Sequence, residues 1–557
     1  MRLSHLVIVS YISSTEGFLQ KSHRIPSTFL DSPFSLQATE RCDVAIFGGG
    51  FGGLYSALSL SREAQTKGKK LDIAIVDPST QFVFLPLLYD LTVGTATSAE
   101  VCPRYEDILK GTGVRHIQGS LDGFTSVDFS SANLRMGNDP SVTNSTRELS
   151  FRSSVVAVGS SPESTLASVP GATEYVQPFY TQEDAKYTAA ILEDLEDQVA
   201  KGKSPRIAIV GGGYGGVELA ACIKRRLSDC HVRLLTRGPP MKGTRAEELV
   251  DKALSKLGVQ VEISSVQEIT KEGEETDDIF VKRQLTSNAD DAAESDKISE
   301  EPWSVVFWTA GAGPSSPVSG DHMGGLLKAD SGRLAIESTL RCIPKQITPL
   351  QDKQNSVWAL GDCAEVIDLK DGLPAAPKTA QAAMQQADVV AQNVLAELTG
   401  NGEAATKEFQ YQDLGTMLTL GGPNAAVMAP IEESPLAPVF KPLLDTARIG
   451  FGIADSAFAN LSKSPVVATL GLSPVVDSIE NLGLSLGGYG LGVESDTAPG
   501  TLSGTLTGAA RRAVYAIRMP TNKQRATAGI SAAISTAAAL AKEAAQQLEK
   551  NNDGKRL

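Results

Sequence analysis

At 557 residues the chain is long enough for two to four domains with ample core. Hydrophobic residues make up 41 % and the net charge is −14, which suits an acidic globular protein and argues against general affinity for nucleic acid. No run of eighteen apolar residues occurs, so no transmembrane helix is expected, while attachment to a membrane surface stays open.

Residues 1–40 differ from the rest and read as a targeting presequence. Leu6-Val7-Ile8-Val9-Ser10-Tyr11-Ile12 is a short apolar run behind Arg2, too short to span a bilayer. Lys21 to Thr39 is rich in hydroxyl residues, carries Lys21 and Arg24, and has Asp31 as its single acid. A signal-like run followed by a transit-like stretch, with Phe18 near the junction, is similar to the bipartite presequence of complex-plastid algae. An untargeted tail and a mitochondrial presequence are the alternatives.

The first globular unit opens at Cys42. Val44-Ala45-Ile46-Phe47 runs into Gly48-Gly49-Gly50-Phe51-Gly52-Gly53 and then into an Ala/Leu-rich helical segment. That is the strand–turn–helix setting in which G-x-G-x-x-G carries meaning. Gly48 makes the tight turn, Gly50 lets backbone N–H groups approach a pyrophosphate, and Gly53 lets helix pack on strand. The strand Ile73-Ala74-Ile75-Val76 ends in Asp77, an acid placed to accept both hydroxyls of an adenosine ribose. Val155 to Val158, with Gly159 and Ser160, reads as the closing strand and turn.

A second copy of the motif follows. Ile207-Ala208-Ile209-Val210 runs into Gly211, Gly213 and Gly216 in the same spacing. Two fingerprints imply two dinucleotides, a flavin and a nicotinamide exchanging a hydride. The next strand, His231 to Leu235, ends in Thr236-Arg237 where a carboxylate would select NADH. Thr236 removes the repulsion of a 2′-phosphate and Arg237 offers a fork to bind it, so NADPH is favoured and NADH stays open. The closing strand is Val305 to Thr309, with Ala310 and Gly311 after it; within this unit Lys271 to Glu301 is acidic and polar and reads as a disordered loop.

Val357-Trp358-Ala359-Leu360-Gly361-Asp362 begins a return segment whose acid suits the ribityl or phosphate groups of a flavin. The expected fold is therefore α/β, with two Rossmann-like domains, the second inserted in the first. The flavin domain takes residues 41–169 and 325–410, and the nicotinamide domain takes 170–324. Residues 411–557 form a C-terminal region with an insertion at about 430–499, rich in Gly, Ser, Pro and Leu. The last 57 residues hold nine basic residues against three acids, and Ile530, Ile534, Ala537, Ala541, Ala544 and Leu548 recur at helical spacing. They read as a basic, weakly amphipathic helix, either packed on its own domain or lying on an anionic membrane surface. The six cysteines, Cys42, Cys102, Cys222, Cys230, Cys342 and Cys363, form no closely spaced pair, so neither a metal site nor a redox dithiol is expected.

Beyond the fingerprints, four segments give the chain a family resemblance: Phe84-Leu85-Pro86-Leu87-Leu88-Tyr89, Gly211 to Glu218, Gly361-Asp362-Cys363-Ala364, and Ala380-Gln381-Ala382-Ala383-Met384-Gln385. The chain resembles the type II NAD(P)H:quinone oxidoreductases from about Cys42 to Asp413 and again from about Gly504. Leu414 to Gly421 and Ala513 to Thr521 are similar to the plant and cyanobacterial branch, which reduces plastid prenylquinones of the plastoquinone or demethylphylloquinone type. The resemblance implies FAD, with NADPH or NADH as hydride donor and a membrane-dissolved quinone as acceptor. It implies that Gln381 and Gln385, which share one helix face, donate to quinone carbonyls and flavin edge atoms. Glu218 would orient the nicotinamide or assist proton movement; Pro86 and Leu87 would wall the flavin. Gly159, Gly311, Gly361, Asp362 and Ala380 would line the cofactors, and Lys378 would stabilise reduced flavin or simply be solvated. The expected place is the plastid, peripheral to thylakoid or plastoglobule (a lipid droplet), with the mitochondrion as alternative and a homodimer left open. A sulfide:quinone oxidoreductase using Cys102 and Cys342, or a redox sensor that binds FAD and NADPH without turnover, are the rival readings.

Overall fold

The computed structural model describes residues 40–126, 128–136, 146–271, 278–285, 298–345, 356–368, 375–400, 406–421, 425–428, 501–504 and 511–531, without 513 and 517. Residues 1–39 of the expected 1–40 presequence, the insertion at 430–499 and the terminal helix beyond 531 lie outside them, while Glu40 already pairs with Leu149 in a strand.

Val44–Phe47 and the first four residues of Ile73–Asp77 are fully buried, the signature of strands covered on both faces. They lie in an eight-stranded sheet in the order Glu40–Arg41, Thr146–Ser150, Ser131–Met136, Val114–Phe124, Ile73–Asp77, Val44–Phe47, Ser153–Val156, Val357–Ala359. The last strand arrives from far downstream and pairs parallel with Ser153–Val156, setting Val357 opposite Ser154. A second, seven-stranded sheet runs Ile298–Trp303, Ile279–Leu285, Gln260–Lys271, His231–Thr236, Arg206–Val210, Val305–Trp308, Gln177–Pro178. Each sheet carries its fingerprint at the carboxyl end of a central parallel strand, where α/β sheets open to ligands.

Within Lys271 to Glu301, residues 272–277 and 286–297 lie outside the described residues, and the described parts correct the expectation of a disordered loop. They contribute two antiparallel strands, Ile279–Leu285 and Ile298–Trp303, which extend the second sheet. Among the described residues, Lys282, Arg283 and Glu301 are paired across the sheet rather than left to solvent. Arg283, 1 % exposed, meets Glu262 and Glu301; Arg233 meets the same two acids, Arg206 meets Glu301, and both stand over the Trp303 ring.

Four helices position the site. They are α1 (Phe51–Thr66), α2 (Gln182–Ala200), α3 (Tyr214–Arg226) and α4 (Ala380–Leu398). Thr181 and Asp184 form a reciprocal capping box at the start of α2. Helices α1 and α4 pack along each other, and the Ser59 hydroxyl donates to Asp388 at 2.7 Å between them.

Thr416–Thr419, Ala425–Met428 and Thr501–Gly504 make a small antiparallel sheet in which Met428 and Thr501 are register partners. The long insertion thus leaves and rejoins the chain at one point of a strand pair. Among the described residues no helix is long and apolar enough to cross a membrane.

Candidate functional site

The two fingerprints show the same division of labour among their glycines. Gly48 and Gly211 take positive φ, and a Cβ on either would sit 2.3 Å from the Ala157 carbonyl oxygen or 2.7 Å from the Thr309 hydroxyl. A Cβ on Gly53 or Gly216 would stand 1.8 Å from the carbonyl of Gly48 or Gly211. Those four positions are required by the fold itself. Gly50 and Gly213 are not: a Cβ there meets nothing within 4 Å, and their φ values of −66° and −81° suit any residue. Both are the N-caps of their helices, and neither helix has a side-chain cap. The first-turn N–H groups of α1 and α3 therefore lack a capping side chain beside open space, the arrangement a pyrophosphate needs. FAD and a nicotinamide dinucleotide fit these two cradles.

Around the first cradle, the Asp77 carboxylate accepts the N–H groups of Gly49 at 2.6 Å and Ser79 at 2.8 Å. Burial pushes this carboxyl up, against the two N–H donors that hold it down. Gly159 follows the strand Ser153–Val156, and Gly361 follows Val357–Ala359, so both turns lie at the carboxyl edge of the sheet. Ser160 takes a hydrogen bond from Tyr180 at 2.7 Å and donates one to Asp362 at 3.0 Å. The Lys378 ammonium donates to the Ala364 carbonyl at 2.6 Å. Ala380 opens α4, whose N-cap Thr379 accepts the Ala382 N–H at 3.3 Å.

Around the second cradle, Thr236 is buried and its hydroxyl donates to the Gly238 carbonyl at 2.9 Å. Arg237 beside it is exposed. Neither residue at this strand end is a carboxylate. Gly311 follows the closing strand Val305–Trp308 and abuts Thr165, whose hydroxyl bonds the Ala310 carbonyl at 3.1 Å.

The two glutamines depart from the expected geometry. The Gln381 amide oxygen accepts the Tyr411 hydroxyl at 2.6 Å and the Leu414 N–H at 3.5 Å, and its nitrogen donates to Gly415 at 3.4 Å. Gln385 donates to the Gln412 carbonyl at 2.9 Å and accepts the Gln412 N–H at 3.0 Å. Both amides are thus engaged by the 411–415 segment rather than presented to a slot. The glutamine that reaches the flavin-side turn is Gln386, 7 % exposed, which accepts the Gly361 N–H at 2.8 Å. Sequence reading stopped one residue short of it, because the motif ends at Gln385.

Glu218 is 6 % exposed and accepts the Thr419 N–H at 2.8 Å. Burial pushes its carboxyl up to about 8, while Arg511 and the Thr419 N–H pull it down and Asp90 raises it. Pro86 lies in the turn Leu85–Leu87, and its carbonyl accepts Arg511 at 3.2 Å. Arg511 also donates to Asp90 at 2.6 Å, and Arg512 donates to Glu100 at 3.0 Å, all four side chains being nearly fully buried. Tyr515 packs edge-on to Phe84, and Tyr55 hydrogen-bonds the Arg518 carbonyl. Of the two alternatives for the C-terminal cations, Arg511 and Arg512 take the one packed on the chain itself, spent on internal ion pairs. Nothing local in the sequence marks them, because their partners are about four hundred residues away.

All six cysteines are free and buried. Burial pushes the Cys102 thiol up to about 12 and raises the Cys342 thiol strongly, so neither is a thiolate at neutral pH. That weighs against sulfane-sulfur chemistry.

Residues 42–387 match the family model of the pyridine nucleotide-disulphide oxidoreductases. The chain is 33 % identical over 413 residues to the alternative NAD(P)H-ubiquinone oxidoreductase C1, chloroplastic/mitochondrial, of Arabidopsis thaliana, covering 71 % of this chain and 74 % of that protein. It is 31 % identical over 394 residues to the demethylphylloquinone reductase NdbB of Synechocystis, covering 69 % of this chain and 86 % of that one. In fold it is similar to NDH2 from Plasmodium falciparum in complex with NADH, with a TM-score of 0.56 at 16 % identity over 74 % of this chain and 94 % of that one. With two dinucleotide cradles in its own geometry and these relatives, the chain belongs to the type II NAD(P)H:quinone oxidoreductases, flavoenzymes that use FAD and a nicotinamide dinucleotide.

Proposed function

We propose that this enzyme oxidises NADPH in preference to NADH and reduces a plastid prenylquinone of the plastoquinone or demethylphylloquinone type. The observation that carries the reading is the 411–419 segment, tied to α4 through Gln381 and Gln385 and to α3 through Glu218. One stretch of chain thus joins the helix of the nicotinamide cradle to the helix beside the flavin-side turn. Bound FAD supplies the hydride acceptor and the two-electron donor. The protein binds, orients and moves protons. Gly50 and Gly213 would admit the two pyrophosphates, Asp77 would hold the adenosine ribose, and Asp362, which accepts the Ser160 hydroxyl, would hold the ribityl chain. Gln381 and Gln385 hold the 411–415 segment as a wall of the quinone slot, and Pro86 and Leu87 wall the flavin. Glu218 keeps a proton at its carboxyl near neutral pH and passes it on as quinol forms.

In this reading residues 41–169 with 325–410 hold FAD, and 170–324 hold the nicotinamide. The enzyme works at the thylakoid or plastoglobule surface. Support comes from the chloroplastic/mitochondrial plant relative and the cyanobacterial one.

Two measurements test the proposal. In anaerobic rapid mixing, Gln381→Leu and Gln385→Leu are expected to bleach the flavin with NADPH at close to the unmodified rate. Reoxidation by a short-chain quinone is expected to slow by about tenfold, since each variant loses two or three hydrogen bonds worth roughly 0.5–1.5 kcal/mol apiece. Unchanged reoxidation would make these glutamines ordinary structural ties. Arg237→Glu is expected to raise KM for NADPH by about tenfold to a hundredfold, the loss of a charge-assisted hydrogen bond of roughly 1.5–3 kcal/mol, and to leave NADH unaffected or improved. Equal effects on both nucleotides would show that Arg237 does not read the phosphate.

A further inference from the structure

We propose that Tyr105 is a positioning residue for FAD: its hydroxyl holds the Gly49 carbonyl and thereby turns the Gly50 N–H toward the pyrophosphate. The inference rests on the reading that the first cradle binds FAD, and deepens it.

Gly49 lies between the first two glycines of the fingerprint, at a position the pattern leaves free. Here both of its backbone polar groups are taken by side chains. The Asp77 carboxylate accepts its N–H at 2.6 Å, and the Tyr105 hydroxyl donates to its carbonyl at 2.8 Å. A peptide unit is planar and trans, so the carbonyl of Gly49 and the N–H of Gly50 point in opposite directions. Fixing that carbonyl on Tyr105 aims the Gly50 N–H to the other side of the loop. This N–H meets no acceptor among the described residues, and the space at Gly50 is open, since a Cβ there would meet nothing within 4 Å. A fixed, unmet N–H at the start of α1 is a donor waiting for an anion.

Tyr105 is itself held firmly. It is 2 % exposed, and its own N–H donates to the Thr80 carbonyl at 3.0 Å. Its ring stacks on His116 with centres 4.6 Å apart, and the His116 Nε2 lies 3.2 Å from the Asp77 carbonyl. Burial keeps the phenol well above its ordinary range, so it stays a donor. The fit also dictates the loop sequence: a Cβ on Gly49 would overlap the Tyr105 hydroxyl oxygen, which makes glycine obligatory at the free position.

The second cradle repeats the arrangement with a different donor. Gly212 corresponds to Gly49, and its carbonyl accepts the Met241 N–H at 2.8 Å. Met241 takes a φ of 58° there, uncommon for a residue other than glycine. The same carbonyl is thus held in both cradles, by backbone in one and by a side chain in the other. Only the side chain can be removed by substitution, so its loss should touch the flavin cradle alone.

Tyr105→Phe removes one oxygen and keeps the ring and its stack. Release of FAD from the loaded full chain on dilution, followed as rising flavin fluorescence, is expected to be about tenfold faster than in the unmodified enzyme. Phosphorus NMR of the bound FAD should show the pyrophosphate resonances moved toward those of free FAD, with Kd for NADP+ unchanged. A role confined to packing would not move those resonances. Unchanged release, unmoved resonances, or an equal loss of NADP+ affinity would overturn the inference. If Tyr105→Phe does not fold, His116→Leu decides, because it removes the support of the ring: faster release with moved resonances supports the inference, and no change overturns it. Gly50→Val separates the two levels. If that variant keeps its FAD, the assignment of FAD to this cradle fails; if it loses FAD while Tyr105→Phe releases FAD at the unmodified rate, only the role of Tyr105 fails.

Discussion

Gly50→Val is expected to yield a folded protein that has lost its flavin. The backbone at Gly50 is ordinary, and a Cβ there touches nothing within 4 Å, so the chain itself has no need of glycine. Its cost to the fold is confined to a poorer N-cap, about 1 kcal/mol. The added methyl groups occupy the space in front of the first-turn N–H groups of α1, which no N-cap side chain covers and where the pyrophosphate must come within hydrogen-bond distance. Flavin released on acid precipitation, measured per mole of protein, should fall at least tenfold while the circular dichroism spectrum is retained. Gly53→Ala is the informative contrast. Its Cβ would stand 1.8 Å from the Gly48 carbonyl, so strand and helix must separate and the fold itself suffers. The parallel variant Gly213→Val should keep its flavin and fail to be reduced by NADPH. Full flavin occupancy in Gly50→Val would mean that the dinucleotide approaches elsewhere.

The second large effect is expected at Arg512. Its pairing with Glu100 is buried on both sides, with 6 % and 1 % of the two side chains exposed. Arg512→Ala leaves the Glu100 carboxylate in the interior without its cation, a loss of roughly 3–5 kcal/mol. One Glu100 oxygen already has no partner among the described residues, so little else is at hand to compensate. The segment 511–531 should loosen, seen as a lower urea midpoint and faster tryptic cleavage after Arg518 and Lys523. A double variant, Arg512→Met with Glu100→Leu, should recover most of the loss, because replacing a buried pair by apolar side chains is often neutral or stabilising. If the single variant is as stable as the unmodified protein, the pair does not anchor the C-terminal segment.

How legible each feature was depended on the range of the interactions behind it. The fingerprint turns were readable because their causes are local: Gly48 and Gly53 constrain one another across five residues, and the flanking buried strands announce themselves as β-branched runs. The sheet that contains both Val44–Phe47 and Val357–Ala359 was readable from repeated strand-and-turn patterns, even though its partners are distant. The strands Ile279–Leu285 and Ile298–Trp303 were missed for a physical reason. Their alternation places Arg283 inward, and a buried arginine neutralised by Glu262 and Glu301 looks in sequence like a solvated charge.

The sequence by itself determined the two dinucleotide cradles, the Thr236-Arg237 strand end that lacks a carboxylate, and the family. Each of these rests on residue type at short, fixed spacing. Only the tertiary structure decided what the side chains of the site do. It turned Gln381 and Gln385 onto the 411–415 segment, put Gln386 on the Gly361 turn, and folded Arg511 and Arg512 from an apparent basic tail into the core. The reason is dielectric and geometric together. A charge or amide is solvated or buried according to what lies within a few ångströms, and for Arg511 and Asp90 that neighbour is 421 residues away along the chain.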